Sequence, residues 1–199
     1  FSDVEVKGGS SSEAAQPIKI PTSAEDFAAY PYFAVSAKTA PSEYNLWLGK
    51  IQVTEANKED ILIDNPTSAK FDPTTNTLTL SNAGFFDLDG ALRTVNGKVE
   101  YVGIYADMPN LIINLENDNI LTMASPTTVL TRDYAIAIAS TGNITFTGGG
   151  TIHVDVPKAN FAKDSGMNMG IFAEGNLTFG KNTTVNVNTM SGNPGDKVG

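Results

Sequence analysis

The 199-residue chain has no cysteine, one histidine (His153) and only two arginines, Arg93 and Arg132. Without cysteine there is no disulfide scaffold, no thiolate-held zinc or iron–sulfur centre and no thiol nucleophile. One histidine leaves no multi-histidine metal site and no paired-histidine acid–base chemistry. A net charge of -9 with so few arginines makes the chain a poor partner for a phosphate backbone, so no nucleic acid is expected. No stretch approaches the roughly 18 apolar residues of a membrane helix, so no membrane insertion is expected in this chain. The opening residues also lack the basic-then-apolar layout of a signal peptide, which leaves a cytosolic protein or one whose signal has been removed. What is present is a hydrophobic share of 41%, enough for a core. Residues 1–16, small and polar around Gly8-Gly9-Ser10-Ser11-Ser12, read as a flexible tether. A tether leading into a body rich in Thr and Asn points to an exported surface protein.

The body repeats. Gly170-Ile171-Phe172-Ala173-Glu174-Gly175-Asn176-Leu177-Thr178-Phe179 has a counterpart in Ile138-Ala139-Ser140-Thr141-Gly142-Asn143-Ile144-Thr145-Phe146. Looser copies run over residues 103–113 and 76–80. Leu78, Leu111, Ile144 and Leu177 stand 33 apart, as do Leu80, Ile113, Phe146 and Phe179. Helical repeats of this length exist, so the internal pattern decides. Leu78-Thr79-Leu80, Ile144-Thr145-Phe146-Thr147 and Leu177-Thr178-Phe179 alternate with period two and are bounded by Gly and Asn, the signature of strands.

Each copy offers three short strands and three corners, enough for one turn of a coil. Stacked coils set each strand beside its counterpart one repeat later, about 4.8 Å away. The fold expected is all-β, a right-handed parallel β-helix of about four coils. Its inward columns are Leu78/Leu111/Ile144/Leu177 and Leu80/Ile113/Phe146/Phe179, and one outward column is Thr79/Ile112/Thr145/Thr178. Residues 17–70 read as an amino-terminal cap over the first coil, with a hairpin turning at Gly49-Lys50 and a helical turn starting near Thr54. Residues 71–199 are the coils. The run 191–199 resembles residues 164–170, the lead-in to the last copy, so the chain is expected to be a fragment that continues into a further coil.

Residues 46–54, residues 71–83 with Phe71-Asp72-Pro73, and residues 170–178 together resemble bacterial cell-surface β-helix proteins labelled carbohydrate-binding-domain-containing, which are similar in fold to pectate lyases. The resemblance spans roughly residues 44–190. It implies a bacterial, extracellular or cell-surface location and a polysaccharide or other extracellular partner. It also raises a calcium-dependent polysaccharide lyase as an alternative, and a purely structural adhesin stalk as another.

The residue types favour a non-enzymatic protein. A lyase of this kind needs acidic calcium ligands with a basic residue near the cleaved bond. Asp107, Glu116, Asp118 and Glu174 lie on or beside strands and Arg132 and Lys158 in or beside loops, with no acidic–basic cluster recurring at strand spacing. Asp87 and Asp89 in Asp87-Leu88-Asp89-Gly90 are the metal candidates, and calcium the cofactor they would take, although Lys98 stands where such a loop has its bidentate Glu. Thr79, Thr145 and Thr178 form an outward hydroxyl face suited to a glycan, and Tyr105 is a candidate stacking aromatic. Trp47 is expected to plug the capped end and Phe172 to pack at a corner. Asn110, Asn143 and Asn176 read as amides stacked at a coil corner. His153 is expected to face outward alone.

Overall fold

The computed structural model describes residues 4–18, 28–37, 42–62, 68–124, 134–156 and 167–189. Two compact units divide the chain, Phe1–Pro41 and Ser42–Gly199. In the first, β1 (Val4–Gly9) lies between β2 (Gln16–Pro17) and β3 (Tyr32–Ala37) in an antiparallel sheet. Part of the segment read as a tether is therefore a strand. The short alternation Val4-Glu5-Val6-Lys7 carries it: Val6 is buried, and the close approach of Ile18 and Tyr30 to Gly8 leaves room for no Cβ there. Serine and glycine dominate only the turn that follows. The expected boundary after residue 16 falls inside β2.

The second unit is all-β. A hairpin of β4 (Glu43–Leu48) and β5 (Ile51–Thr54) turns at Gly49 and Lys50, with Gly49 in the left-handed region at φ +60°. Residues 55–59 then make turns, not a helix: Asn57 and Lys58 donate their N–H groups to the Thr54 carbonyl, and the Asn57 side chain caps the Thr54 N–H at 2.7 Å. β6 (Ala69–Asp72) pairs antiparallel with β7 (Thr77–Ser81). There follow β8 (Gly84–Leu88), β9 (Ala91–Val95) and β10 (Lys98–Ala106), the last two paired antiparallel. The remaining strands are β11 (Asn110–Glu116), β12 (Asp118–Met123), β13 (Tyr134–Ser140), β14 (Asn143–Gly148), β15 (Thr151–Val156), β16 (Met167–Ala173), β17 (Leu177–Phe179) and β18 (Thr184–Thr189).

From β10 onward the chain visits three sheets in turn. The orders are β16-β13-β10-β4-β5, β17-β14-β11-β7-β6 and β18-β15-β12-β8. β10, β13 and β16 are mutually parallel, as are β7, β11, β14 and β17, and β8, β12, β15 and β18. Leu111, Ile144 and Leu177 form one column, and Ile113, Phe146 and Phe179 the next. Their inward members are fully buried in the upstream layers, where each large apolar side chain contributes about 1.5–3 kcal/mol. The Phe146 and Phe179 rings stack at 5.5 Å with their planes 6° apart.

The first layer departs from the expected register. Leu78 lies opposite Ile113, and Leu80 opposite Leu115, so β7 is offset by 35 residues and not 33. A slip of two leaves every side chain on its own face, so hydrophobic alternation cannot distinguish the two registers. The corners do. Asn82 (φ +51°) and Asn117 (φ +56°) follow the paired Ser81 and Glu116, and both adopt the left-handed conformation that asparagine tolerates. Just beyond, buried Asn119 accepts the Ala83 N–H at 2.9 Å and donates to the Glu116 and Thr151 carbonyls at 3.1 and 3.0 Å. One amide thus fastens three successive layers.

Both faces of the β10–β13–β16 sheet are covered. Ala135, Ala137 and Ile138 join the main core, while Val95, Val102, Tyr105, Ile136 and Ala139 form a second cluster against which Trp47, Tyr134, Met169 and Phe172 pack. The unbroken apolar run 135–139 is what a strand buried on both sides requires.

Candidate functional site

The outward threonines fall into two columns, not one. Thr145 lies beside Thr178 and Ile112, and Ile112 beside Thr77. Thr79 belongs to the neighbouring column with Asn114 and Thr147. The same two-residue slip moves it there. Thr79, Thr145 and Thr178 remain on one sheet, but only the last two are direct neighbours.

Thr79 lines a polar recess, an open groove of about 550 Å³ bounded by Lys58, Lys70, Asp72, Thr79, Ser81 and Glu116. Lys70 is the cross-strand partner of Thr79. Several of these groups are committed locally. The Asp72 carboxylate accepts the Thr74 N–H at 2.8 Å and the Thr75 hydroxyl at 2.9 Å, and these bonds hold its pKa below the ordinary value. Lys58 pairs with Glu55 at 2.9 Å, which raises its pKa, and Glu55 also takes the Tyr44 hydroxyl. Lys70, the Thr79 hydroxyl and the Glu116 carboxylate make up the side of the groove left for a ligand. Glu116 has one long contact, from the Asn114 amide at 3.4 Å.

Tyr105 is not an exposed platform. It is buried in the second cluster, and its hydroxyl donates to the Thr94 carbonyl at 2.7 Å. Its position opposite Trp47 explains this, for the two rings lie 5.6 Å apart, and the Arg93 guanidinium sits 4.9 Å over the indole. Trp47 therefore packs on the outer side of this sheet and not at a capped end, and Phe172 joins the same cluster. Beside it, a cavity of about 150 Å³ is lined by Val95, Glu100, Tyr134, Ile136, Met169 and Phe172. The buried Glu100 carboxylate there accepts the Tyr134 N–H at 2.8 Å.

Asp87 and Asp89 do not form a metal pair. Asp87, at φ +56°, is the bulged residue where the β8–β12 register shifts. Asp89 is held by the Lys50 ammonium and by the Tyr101 hydroxyl at 2.9 Å, which together depress its pKa, Lys50 foremost. Tyr101 in turn accepts the Gly90 N–H at 2.8 Å, and burial, aided by Asp89, pushes its pKa up to about 12. Among the described residues no three His, Asp or Glu side chains converge. Arg132 and Lys158, considered as lyase bases, and the run 191–199 lie outside the described residues.

The chain matches no family model, no curated protein and no solved structure. Among the described residues no helix is long and apolar enough to cross a membrane. The corner asparagines behave as structural amides: Asn143 donates to Asn110 at 2.7 Å and accepts the Asn176 N–H at 2.7 Å. His153 is not alone, since the Asn186 amide stands 3.5 Å from its ring nitrogen. Sequence reasoning missed Asn119, Glu100 and the Lys70–Glu116 groove. The signal for the groove was available in the alternation Lys70-Phe71-Asp72, which marks β6 as a strand with a polar outer face.

Proposed function

We propose that the three sheets wind as a right-handed parallel β-helix of about four coils, and that the protein is a non-enzymatic, exported bacterial surface protein that holds polysaccharide or another extracellular partner on its outer faces. The passage of the chain through three sheets in constant order, with layers 33 or 34 residues apart after the first, supports the winding. The groove around Thr79 carries the binding reading. It is open and lined by the hydroxyls of Thr74, Thr79 and Ser81, two lysines and the carboxylates of Glu59, Asp72 and Glu116, the mixture of donors and acceptors that sugar hydroxyls meet. The local engagement of Asp72 and Lys58 withdraws two of the groove's charged groups from acid–base work, which favours holding over cleaving.

A glycan array probed with the whole chain, followed by analysis of any bound polysaccharide for unsaturated ends with and without calcium, tests this. Binding without cleavage is expected. Unsaturated products would establish the lyase instead, and neither binding nor cleavage would leave the stalk.

A further inference from the structure

The sheet formed by β8, β12, β15 and β18 carries an aromatic that the groove does not use. Phe86 is 71% exposed, the most exposed large apolar side chain described. The bulge at Asp87 produces this: Phe85 is buried, and Phe86 and Asp87 are then both turned out. The ring lies over Gly84. A Cβ built there would stand 2.7 Å from the ring carbon Cε2 and 3.4 Å from Cδ2 and Cζ. The glycine leaves room for the edge of the ring, and the rest of the ring is open to solvent.

The neighbouring outward positions form a regular array. Gly84 lies beside Ile120, Ile120 beside His153, and His153 beside Asn186; Thr122 lies beside Asp155, and Asp155 beside Asn188. Successive strands are about 4.8 Å apart and alternate residues along a strand about 6.7 Å. The Asn188 amide donates to Asp155 at 3.0 Å, so these polar groups are held in place before any ligand arrives. Charge selects among ligands. The four strands carry Asp87, Asp118 and Asp155 and neither Lys nor Arg. An acidic chain would be repelled by this face.

We propose that this face binds a neutral polysaccharide, one sugar ring stacking its apolar side on Phe86 while hydroxyls farther along the chain bond to His153, Asp155 and Asn188. A sugar has the required combination of one apolar ring face and a rim of hydroxyls, and the array offers the complement of each. The proposal rests on the polysaccharide-binding reading and names the ligand class and a site apart from the Thr79 groove.

Calorimetric titration of the whole chain with cello-, xylo- and mannohexaose, and with hexagalacturonate, tests it. At least one neutral hexasaccharide is expected to bind, and hexagalacturonate to bind more weakly. Phe86→Ala should weaken that binding about tenfold, the loss of one stacked ring. Gly84→Ala, which dislodges the ring while keeping it, should weaken binding in the same direction. Phe86→Trp should retain it, with an indole emission shift on saturation. Because residue 86 is exposed, the substitutions there leave the core untouched. Neutral binding unchanged by Phe86→Ala would overturn the proposal while leaving the polysaccharide reading standing. Tighter binding of hexagalacturonate through Phe86 would overturn the neutral class. A dimer in sedimentation that Phe86→Ala converts to monomer, without effect on sugars, would assign the ring to a second copy. Failure of every neutral hexasaccharide to bind would overturn this site, and the glycan array would then decide the wider polysaccharide reading.

Discussion

Asn119 does more for this fold than any residue of its type would suggest from sequence. Buried, it satisfies the Ala83 N–H in the layer before it, the Glu116 carbonyl in its own layer and the Thr151 carbonyl in the layer after it. Asn119→Ala leaves those groups without partners, and urea unfolding should show a loss on the order of 3 kcal/mol. An unchanged midpoint would mean that water replaces the amide. In the sequence, Asn117-Asp118-Asn119 is a polar corner and nothing more, because the offset that brings Ala83 opposite Asn119 appears only in three dimensions. The Asp89–Tyr101 pair was also hidden, since Asp89 resembles a metal ligand until Lys50 and Tyr101 are placed beside it. Its consequences are pH-dependent. The raised Tyr101 pKa stabilises the fold fully below the ordinary tyrosine value of 10.0, and that contribution is lost as pH rises toward about 12. Asp89, whose pKa is depressed, contributes at neutral pH and loses its contribution as pH falls through the carboxylate range. Denaturant midpoints measured across the alkaline range should fall less steeply in Tyr101→Phe than in the parent; parallel curves would count against the assignment.

At the level of the strands, the alternation of apolar and polar residues made β7, β11, β14 and β17 legible, because period two is what a sheet with one buried face demands. Their pairing was legible for the later layers and not for the first. Leu78 and Leu80 satisfy the core equally well opposite Leu111 and Ile113 or opposite Ile113 and Leu115, and only the left-handed Asn82 and Asn117 resolve the choice. β1 was missed because glycine and serine next to it outweighed a four-residue alternation. Position within the stack sets the energetic weight of a column. Phe146 is fully buried between Ile113 and Phe179, whereas Phe179, on the edge strand β17, is 52% exposed. Phe146→Ala should therefore cost about 3–5 kcal/mol, and Phe179→Ala well under half of that, in thermal or urea unfolding. Equal costs would show that β17 is covered in solution.

For the molecule as a whole, architecture and ligand differ in how far sequence reveals them. A core of stacked Leu, Ile and Phe repeats because each layer packs on the last, so the periodicity is written in the chain. A binding face is set by outward residues that no packing rule constrains. The exposed Phe86, the groove between Lys70 and Glu116, and the burial of Tyr105 emerged only once the layers were in place. On the proposal made above, outward strand faces hold polysaccharide while the interior is a closed core. Amide chemical-shift mapping by NMR, during titration with the hexasaccharide that binds, tests it most directly. Shifts are expected at outward positions, Lys70, Thr79 and Glu116 in the groove or Phe86, His153 and Asp155 on the neighbouring sheet, with no change at Leu80, Ile113 or Val154. Shifts confined to the Val4–Ala37 sheet, or none at saturating sugar, would contradict it.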